Sequence, residues 1–327
     1  MQVFMYFCAV ENSATPTVKG RFAPSPTGRM HLGNVFAALL SWLSARSAGG
    51  SWLLRIEDLD PQRSRREYAR LIEDDLHWLG LVPDEGGLDD TAGPAAPYCQ
   101  SMRTHLYADA LRRLTGTGRL YGCTCTRADI MATQAPHQSD GRVVYPGRCR
   151  PAVMPRPFEA PDAPHALRLW VPADCAITFT DRLYGPQISH PARECGDFIL
   201  RRADGAWAYQ LAVVVDDALM GVTEVVRGAD LLLSAAQQIY LYNLLGLPAP
   251  AFGHVPLLVN AEGRRLSKRD AALSMGAMRA AGATPREIIG RLGALAGLVP
   301  PGTQCTAAEL LPFFAWSKLP RTATITV

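Results

Sequence analysis

Residues 21–34 read RFAPSPTGRMHLGN and lead directly into an apolar segment with helical spacing. Two prolines and two glycines in fourteen positions are too many breakers for a core strand. Just before them, residues 19–23 predict a short strand that Pro24 ends, and from Asn34 the apolar residues recur at the spacing of one helix face. The stretch therefore predicts a stiff turn between the first strand and the first helix.

The segments around this turn predict an α/β fold. Residues 52–56 form a second apolar strand after the first helix, and strand, helix, strand in that order predicts a right-handed unit with parallel strands. We expect Asp60 and Pro61 to begin the next helix, as its N-cap and its first residue. Residues 198–202 and 209–215, separated by an Ala-Asp-Gly turn, predict a β-hairpin.

The composition is that of an ordinary folded protein. Of the 327 residues, 48% are hydrophobic and 19% are charged, and no apolar run reaches the roughly 18 residues of a membrane span. Residues 1–10 are apolar without a preceding basic region, so we expect no signal peptide and a cytoplasmic protein. The net charge of +3 neither demands nor excludes a nucleic-acid partner. Eight cysteines are too few for a disulfide scaffold.

The predicted turn is a candidate anion site, although both common glycine-rich nucleotide signatures are absent. His31 and Gly33 stand where the first strand gives way to the first helix, and unpaired N–H groups at such a helix start favour an anion. Glycine allows close approach of a ligand, and a histidine can donate to phosphate oxygens. The residues are equally compatible with a capped helix start that carries an incidental surface histidine.

A second basic element follows the apolar residues 255–259. Residues 263–269 read GRRLSKR, and together with the first element they can supply a mobile Lys268 to a triphosphate whose charge shifts during reaction. A solvated basic loop is the usual alternative for such a run of charges.

Taken together, the two elements resemble the signatures of class I aminoacyl-tRNA synthetases. Residues 30–33, MHLG, look like the HIGH signature, and residues 265–269, RLSKR, look like the KMSKS loop. More narrowly, residues 21–28 and the LRIEDLD stretch at 54–60 are similar to the glutamate-specific branch. The resemblance runs in the right order from about residue 20 to residue 268, which makes it more specific than either short motif.

This resemblance implies a Rossmann-like catalytic domain that uses ATP as a substrate together with Mg²⁺. It assigns catalysis and ATP binding to His31, Gly33 and Lys268. The positions that match the glutamate site of the family are Arg21, Phe22, Ala23, Pro24, Ser25, Glu57, Tyr209 and Arg227. The arginines can hold carboxylates, Glu57 the ammonium group, and the hydroxyls of Ser25 and Tyr209 can orient the substrate. Each side chain taken alone also has an ordinary structural explanation.

Three grouped cysteines, Cys123, Cys125 and Cys149, favour a zinc site over a disulfide. From the residues alone the fourth ligand stays open between His137 and Tyr145, and neutral imidazole is the default zinc ligand. A resemblance to the glutamyl-Q tRNA(Asp) synthetases, which carry a C-x-C … Y-x-x-x-C site, implies Tyr145. The spacing between Cys125 and Tyr145 is longer here, so His137 remains an alternative. We expect one structural zinc.

The residues after Lys268, 269–327, are too few for the anticodon-binding domain of full glutamyl-tRNA synthetases. The resemblance therefore implies the group that activates L-glutamate with ATP and transfers it to the queuosine base at the wobble position of tRNA(Asp). The alternatives are a truncated glutamyl-tRNA synthetase that charges tRNA(Glu), a small-molecule ligase with a HIGH-type fold, and a non-catalytic RNA-binding module that zinc stabilises. We expect a monomer without a membrane partner.

The same resemblance divides the chain into consecutive regions. They are a flexible N-terminal extension (1–18), the first half of the catalytic domain (19–115), an inserted subdomain with the zinc site (116–195), the second half of the catalytic domain (196–246), and the KMSKS-like loop with a helical C-terminal region (247–327).

Overall fold

The computed structural model describes residues 17–132, 144–153, 165–266 and 270–327. The strands are β1 (Lys19–Phe22), β2 (Ser51–Leu54), β3 (Glu85–Gly86), β4 (Leu120–Cys123), β5 (Ala166–Leu169), β6 (Ile177–Asp181), β7 (Gly185–Ser189), β8 (Phe198–Arg201), β9 (Glu224–Gly228), β10 (Ala251–Val255), β11 (Leu257–Val259) and β12 (Thr324–Thr326). The helices are α1 (Leu32–Ser47), α2 (Arg66–Trp78), α3 (Thr104–Thr115), α4 (Arg127–Ala132), α5 (Pro191–Glu194), α6 (Tyr209–Leu219), α7 (Leu232–Leu245), α8 (Met275–Ala280), α9 (Pro285–Leu295) and α10 (Ala307–Leu310). Within these ranges, none of the helices is both long and apolar enough to cross a lipid bilayer.

Two adjacent groups of strands, β1–β2–β3 and β7–β6–β10–β9, are together called the main sheet and have the strand order of a doubly wound α/β fold. Strands β1, β2 and β3 pair in parallel, and β10 pairs in parallel with β9 on one side and β6 on the other. The two groups meet where the Thr223 N–H donates to the Lys19 carbonyl at 3.0 Å and the Lys19 N–H donates to the Thr223 hydroxyl at 2.8 Å. The order reverses between β1 and β9, and ligands of such folds bind at the carboxyl ends of the strands beside that point.

The core of this half of the molecule forms around α1. Its apolar residues are buried on all sides, because α1 packs against β1 and β9 and is covered again by β11 and the C-terminal region. Phe22 of β1 stacks on Trp52 of β2 with ring centroids 6.2 Å apart, and the Trp52 indole N–H donates to the Ser41 hydroxyl at 2.9 Å. The predicted strand–turn–helix–strand unit and the α/β class are confirmed.

A second, antiparallel sheet of β4, β5 and β8 stands apart from the main sheet. The buried Asp197 carboxylate joins its parts, because it accepts hydrogen bonds from the Tyr121 hydroxyl (2.5 Å), the Arg150 guanidinium (2.7 Å) and the Val171 N–H (2.9 Å). The expected division of the chain differs here, since β6 and β7 belong to the main sheet while β8 pairs with β5.

The helix predicted to start at Asp60 and Pro61 starts instead at Arg66. Asp60 caps only a turn, in which its carboxylate accepts the N–H of Gln62 at 3.1 Å. Arg65 then adopts an extended conformation and donates its N–H to the Pro26 carbonyl at 2.9 Å. Because of the turn at residues 61–63 and this hydrogen bond to the proline-rich turn, the helix begins at Arg66 and not at Pro61.

The predicted hairpin at 209–215 is wrong, because Tyr209–Leu219 forms helix α6, while the preceding strand β8 is as expected. Helix α6 packs between α3, α7 and β8, so it is apolar on nearly every side and shows no helical periodicity. Its run of valines also favours a strand by propensity, and tertiary burial outweighs that preference.

The C-terminal region predicted as helical, residues 247–327, contains strands as well as helices. Strand β10 lies in the middle of the main sheet, and β11 pairs in parallel with β12 near the end of the chain. Strand β10 lies between β6 and β9, so this part of the chain contributes to the edge of the main sheet at which the candidate site lies. It is therefore not a separate helical unit.

A substitution at Gly290 tests how tightly α9 packs on the residues that follow it. A Cβ at Gly290 would lie 1.8 Å from the Thr303 carbonyl oxygen, whereas a Cβ at Gly116 would meet its nearest atom at 3.5 Å. We expect Gly290→Ala to lower the free energy of unfolding by about 1–3 kcal/mol, because the clash outweighs the gain in helix propensity of about 1 kcal/mol. Gly116→Ala is the matched control and should stay within about 0.5 kcal/mol of wild type in urea denaturation. Equal stabilities of the two variants would contradict the packing argument.

Candidate functional site

His31 caps the start of α1 with its own ring. Its Nδ1 accepts the Gly33 N–H at 3.2 Å, and the Asn34 side-chain oxygen accepts the His31 N–H at 3.1 Å. Because Nδ1 is an acceptor, the neutral ring carries its proton on Nε2, where it is available as a donor. Burial lowers the pKa of His31, and the nearby Arg265 guanidinium lowers it further. The histidine is thus both the helix cap and a neutral donor at the helix start.

Gly33 leaves the room that this cap needs. A Cβ at Gly33 would lie 3.2 Å from the His31 ring and 3.8 Å from Leu258 Cβ. A larger residue at position 33 would require the imidazole to move by a few tenths of an ångström, so glycine accommodates this cap without rearrangement.

The basic loop is fixed at both ends beside His31. Lys268 itself lies outside the described residues, but Leu266 before it is buried, and Asp270 after it accepts from the Asn260 side-chain amide at 3.3 Å. His31 also forms an isolated antiparallel bridge with Ser274, just beyond the loop. The two elements that carry the predicted nucleotide chemistry therefore adjoin each other.

A cluster of buried charges lies where β1 and β2 end. The fully buried Arg55 donates to Asp217 at 2.6 Å and to Glu57 at 3.1 Å. Arg21 is 3.5 Å from Asp217 through its Nε and donates through Nη1 to the Val226 carbonyl at 3.3 Å. Arg21 Nε has no hydrogen-bond partner in the described part of the chain. The predicted Arg21 and Glu57 are thus brought to one place.

The pKa values of two carboxyl groups of this cluster, Asp217 and Glu57, are shifted in opposite directions. Burial raises the pKa of Asp217, but the charges of Arg55 and Arg21 outweigh it and lower that pKa overall. Burial also raises the pKa of Glu57, and the same two arginines only partly offset it, so its pKa stays raised. Glu57 is therefore the carboxylate of this cluster that gains most from an added cation such as an ammonium group.

Arg227, at the end of β9, is buried among uncharged acceptors. It donates from Nε to His254 Nε2 at 3.0 Å and from Nη1 to the Tyr209 hydroxyl at 3.3 Å. It also donates to Gln238 Oε1 at 2.8 Å and to the Leu231 carbonyl at 3.2 Å. No carboxylate among the described residues pairs with this guanidinium, and burial lowers its pKa. The negative charge of Asp217 offsets the effect of burial only in part. A buried, oriented cation that no carboxylate contacts suits an anionic ligand.

The three cysteines come together with Tyr145. All three Sγ atoms lie within 4.8 Å of one another, and Cys125 Sγ is 3.4 Å from Cys149 Sγ. The Tyr145 hydroxyl oxygen is 3.3 Å from Cys123 Sγ and 3.9 Å from Cys125 Sγ. Tetrahedral zinc with bonds of about 2.3 Å to sulfur needs sulfurs about 3.8 Å apart, so the donor set fits the metal. The alternative ligand, His137, lies outside the described residues.

Tyr145 is held rigidly at this cluster. The Arg168 guanidinium lies 3.7 Å from its ring centroid, and the Cys149 N–H donates to its hydroxyl at 2.8 Å. Burial opposes ionisation of Cys149, but hydrogen bonds from Cys125, the Thr124 N–H and Tyr145 outweigh it and lower the pKa of the Cys149 thiol to about 6. A cluster that already favours a thiolate is prepared for a cation.

Several residues of the charge cluster escape single-sequence reasoning. Asp217 and His254 stand inside apolar runs, and Arg55 lies within the LRIEDLD stretch that carries the family resemblance. A charged residue in an apolar run predicts a buried partner, but nothing in the sequence says which one.

Comparison with known proteins places these features in a family. The family described as tRNA synthetases class I (E and Q), catalytic domain, matches residues 17–316. The glutamyl-Q tRNA(Asp) synthetase of Symbiobacterium thermophilum is 52% identical over 307 residues, which cover 92% of this chain and 94% of that protein. The protein of the same name from Nitratidesulfovibrio vulgaris is 47% identical over 312 residues, covering 94% and 95%. The similarity thus spans most of each sequence.

Solved structures share the fold. A glutamate tRNA ligase from Elizabethkingia meningosepticum, crystallised in complex with its amino acid, matches with a TM-score of 0.78 at 30% identity. The match covers 94% of this chain and 66% of the ligase, so the chain spans about two thirds of that protein. The glutamate-tRNA synthetase of Elizabethkingia anophelis gives the same TM-score and identity, with 95% and 68% covered.

The geometry at the cysteines predicts which residue completes the zinc site. We expect Tyr145→Phe to lose zinc faster than wild type during dialysis against a chelator, because the variant keeps the ring and removes the oxygen donor. Elemental analysis of the dialysed protein measures the loss. Tyr184→Phe, which removes a hydroxyl bonded to the Thr322 carbonyl, is the control and should retain zinc as wild type does. Loss of zinc from His137→Ala, with retention in Tyr145→Phe, would assign the fourth ligand to the histidine.

Because His254 is buried and neutral, we expect the free energy of unfolding to depend on pH. Burial lowers its pKa to about 4, and the neighbouring Arg227 opposes protonation further, although Asp181 favours it. Since the unfolded chain binds this proton with a pKa of about 6.5, the free energy of unfolding should fall as pH drops from about 6.5 to about 4, by at most ~1.4 kcal/mol per unit.

Urea denaturation between pH 7 and pH 4.5 checks this slope against His254→Gln, which has no titrating group at that position. The stability of the variant should depend less steeply on pH, because Asp181, whose pKa the contact with His254 helps to lower, titrates below this pH range. Parallel curves would contradict a buried, neutral His254.

Proposed function

This chain belongs to the glutamyl-Q tRNA(Asp) synthetases, within the glutamate and glutamine branch of class I tRNA synthetases, and on that basis we propose that it glutamylates tRNA(Asp). It activates L-glutamate with ATP and transfers the glutamyl group to the queuosine base at the wobble position. The observation that carries this proposal is the buried, carboxylate-free Arg227 beside Arg21 and Glu57, next to an anion-binding helix start.

Glutamate brings two carboxylates and one ammonium group to this site. Arg21 and Arg227 hold the carboxylates, and the Glu57 carboxylate receives the ammonium group. The hydroxyls of Tyr209 and Ser25 orient the substrate, while Phe22, Ala23 and Pro24 line the approach. The hydrogen bond between Arg227 and Tyr209 and the contact of Arg21 with Asp217 support these roles. A site of this kind rejects analogues that leave its buried polar groups unpaired.

The first step forms glutamyl-adenylate. The glutamate α-carboxylate attacks the α-phosphorus of ATP, a new O–P bond forms, and the bond to pyrophosphate breaks with both its electrons leaving on pyrophosphate. His31 Nε2, the N–H groups around Gly33 and Lys268 stabilise the phosphate charge, so positioning and electrostatics provide most of the rate enhancement. Mg²⁺ that accompanies ATP supplies additional charge neutralisation.

The second step transfers the glutamyl group. A hydroxyl of the queuosine cyclopentene ring attacks the activated acyl carbon and forms the ester bond, its proton passes to a phosphate oxygen of the departing AMP or to water, and AMP leaves with the electrons of the acyl–phosphate bond. The modified anticodon must therefore reach the same cleft at the carboxyl ends of β1 and β9. Arginine contacts to RNA phosphates make this encounter dependent on salt. ATP, glutamate and tRNA occur together in the cytoplasm, where we place the reaction.

The metal centre has a structural role in this proposal. Cys123, Cys125, Cys149 and Tyr145 would hold one zinc, which joins the end of β4 to the segment around Cys149. The cluster shares no residue with the charged site around Arg21 and Arg227. A closed four-ligand set leaves no open position for catalysis.

A charging assay tests the function. Purified protein with labelled glutamate and ATP should glutamylate queuosine-bearing tRNA(Asp) and leave tRNA(Glu) unlabelled, because the acceptor is the modified base rather than the 3′ end. The same tRNA(Asp) without queuosine is the matched control and should remain unlabelled. Glutamate-dependent exchange of pyrophosphate into ATP measures the first step alone.

Each rival gives a different result in these assays. Charging of tRNA(Glu) would identify a glutamyl-tRNA synthetase and contradict the proposal. Absence of glutamate-dependent exchange, with binding of tRNA retained, would identify a non-catalytic RNA-binding module.

A further inference from the structure

Three buried side chains form a line across three neighbouring strands. Asp181 ends β6, His254 lies in β10, and Arg227 lies in β9 directly opposite His254 in the parallel register. His254 Nδ1 is 2.6 Å from Asp181 Oδ2, and Arg227 Nε is 3.0 Å from His254 Nε2. His254 has no exposed surface, and Asp181 and Arg227 are buried as well. The line runs from the inside of the sheet to its site edge.

The hydrogen bonds fix where the proton of His254 resides. A guanidinium N–H can only donate, so His254 Nε2 must accept and carries no proton. The single proton of the neutral ring therefore lies on Nδ1 and is donated to Asp181. One tautomer and one ring orientation satisfy both neighbours.

Asp181 is itself held in place by the backbone. Its Oδ1 accepts the N–H groups of Leu183 at 3.0 Å and Tyr184 at 2.9 Å, and its Oδ2 accepts the His254 backbone N–H at 3.1 Å. Main-chain donors of the turn after β6 and of β10 thus orient the carboxylate, and the carboxylate orients the imidazole.

We propose that His254, oriented by Asp181, is a positioning residue that fixes the Arg227 guanidinium for a carboxylate of the glutamate substrate. This inference rests on the proposed function, because it gives the binding role of Arg227 a structural cause. Neither Asp181 nor His254 touches the substrate, and both act through Arg227.

The chemistry explains why an imidazole is used. A carboxylate placed directly against Arg227 would neutralise the guanidinium and compete with the substrate for its N–H groups. The neutral ring accepts one hydrogen bond and leaves the positive charge for the ligand. Arg227 keeps its orientation, which removes most of the cost of ordering a long side chain upon binding.

Substitution of His254 by glutamine or by asparagine tests the contacts of its Nε2 and Nδ1 atoms separately. In His254→Gln the side-chain amide reaches the position of Nε2 and can still accept from Arg227, whereas in His254→Asn it reaches only the position of Nδ1 and leaves Arg227 Nε unpaired. Glutamate-dependent pyrophosphate exchange should show a KM for glutamate at least about tenfold higher in His254→Asn, with the KM for ATP changed less than about threefold. His254→Gln should lie closer to wild type than His254→Asn does.

Three further variants distinguish the proposed role of His254 from a general loss of structure. If His254→Asn does not fold, Asp181→Asn provides the same test, because it removes the charge that holds the Nδ1 proton. Asp197→Asn changes an equally buried carboxylate of the other sheet and should not raise the KM for glutamate selectively. In an Arg227→Lys background, which lacks the Nε–H, His254→Asn should add little to the KM for glutamate.

The outcomes distinguish this inference from the proposed function. A selective rise in the KM for glutamate that disappears in the Arg227→Lys background supports the inference. Equal rises in both KM values, or additive effects of His254→Asn and Arg227→Lys, overturn it while wild-type exchange still supports the function. Wild-type protein without glutamate-dependent exchange overturns the proposed function, and this inference with it.

Discussion

The site depends on one constraint, which is that Arg227 keeps its positive charge while it is buried. An unpaired guanidinium in the interior is costly, and the fold meets that cost with oriented, uncharged acceptors instead of a carboxylate. The arrangement requires β9 and β10 to pair in one register, because only that register places His254 opposite Arg227. The register of β9 and β10 therefore determines which acceptors surround Arg227.

The neighbouring cluster meets a similar constraint in another way. Arg55 is fully buried and is neutralised by Asp217 and Glu57, so it organises the carboxylates and is closed to a ligand. Arg21 contacts Asp217 only at 3.5 Å, and neither its Nε nor that of Arg55 has a hydrogen-bond partner among the described residues. The two arginines thus differ in how closely a carboxylate contacts them.

The helix start beside this cluster shows how far local sequence reaches. The prolines and glycines of residues 21–34 predict the turn, and the apolar spacing that follows predicts a helix from about residue 34. The anion site stays a prediction, and the structure adds that His31 caps the helix with its own ring. Asp60 and Pro61 do not begin the helix, because residues 61–63 form a turn and the extended Arg65 donates its N–H to Pro26 just before the helix starts at Arg66. Tyr209–Leu219 failed as a strand because burial on several sides erased its periodicity. Both errors come from contacts distant in sequence.

The sequence by itself determined the α/β class, the strand–turn–helix unit and the family resemblance, because these depend on local spacing and residue type, and the resemblance in turn proposes the candidate site residues. Only the tertiary structure decided which buried charges pair, since Arg55 and Asp217 are far apart in the chain and meet across a strand and a helix. It alone placed Tyr145 among the cysteines and lined up Asp181, His254 and Arg227. The physical reason is that a buried polar group must find a partner, and the register of the sheet, which no local pattern encodes, selects that partner.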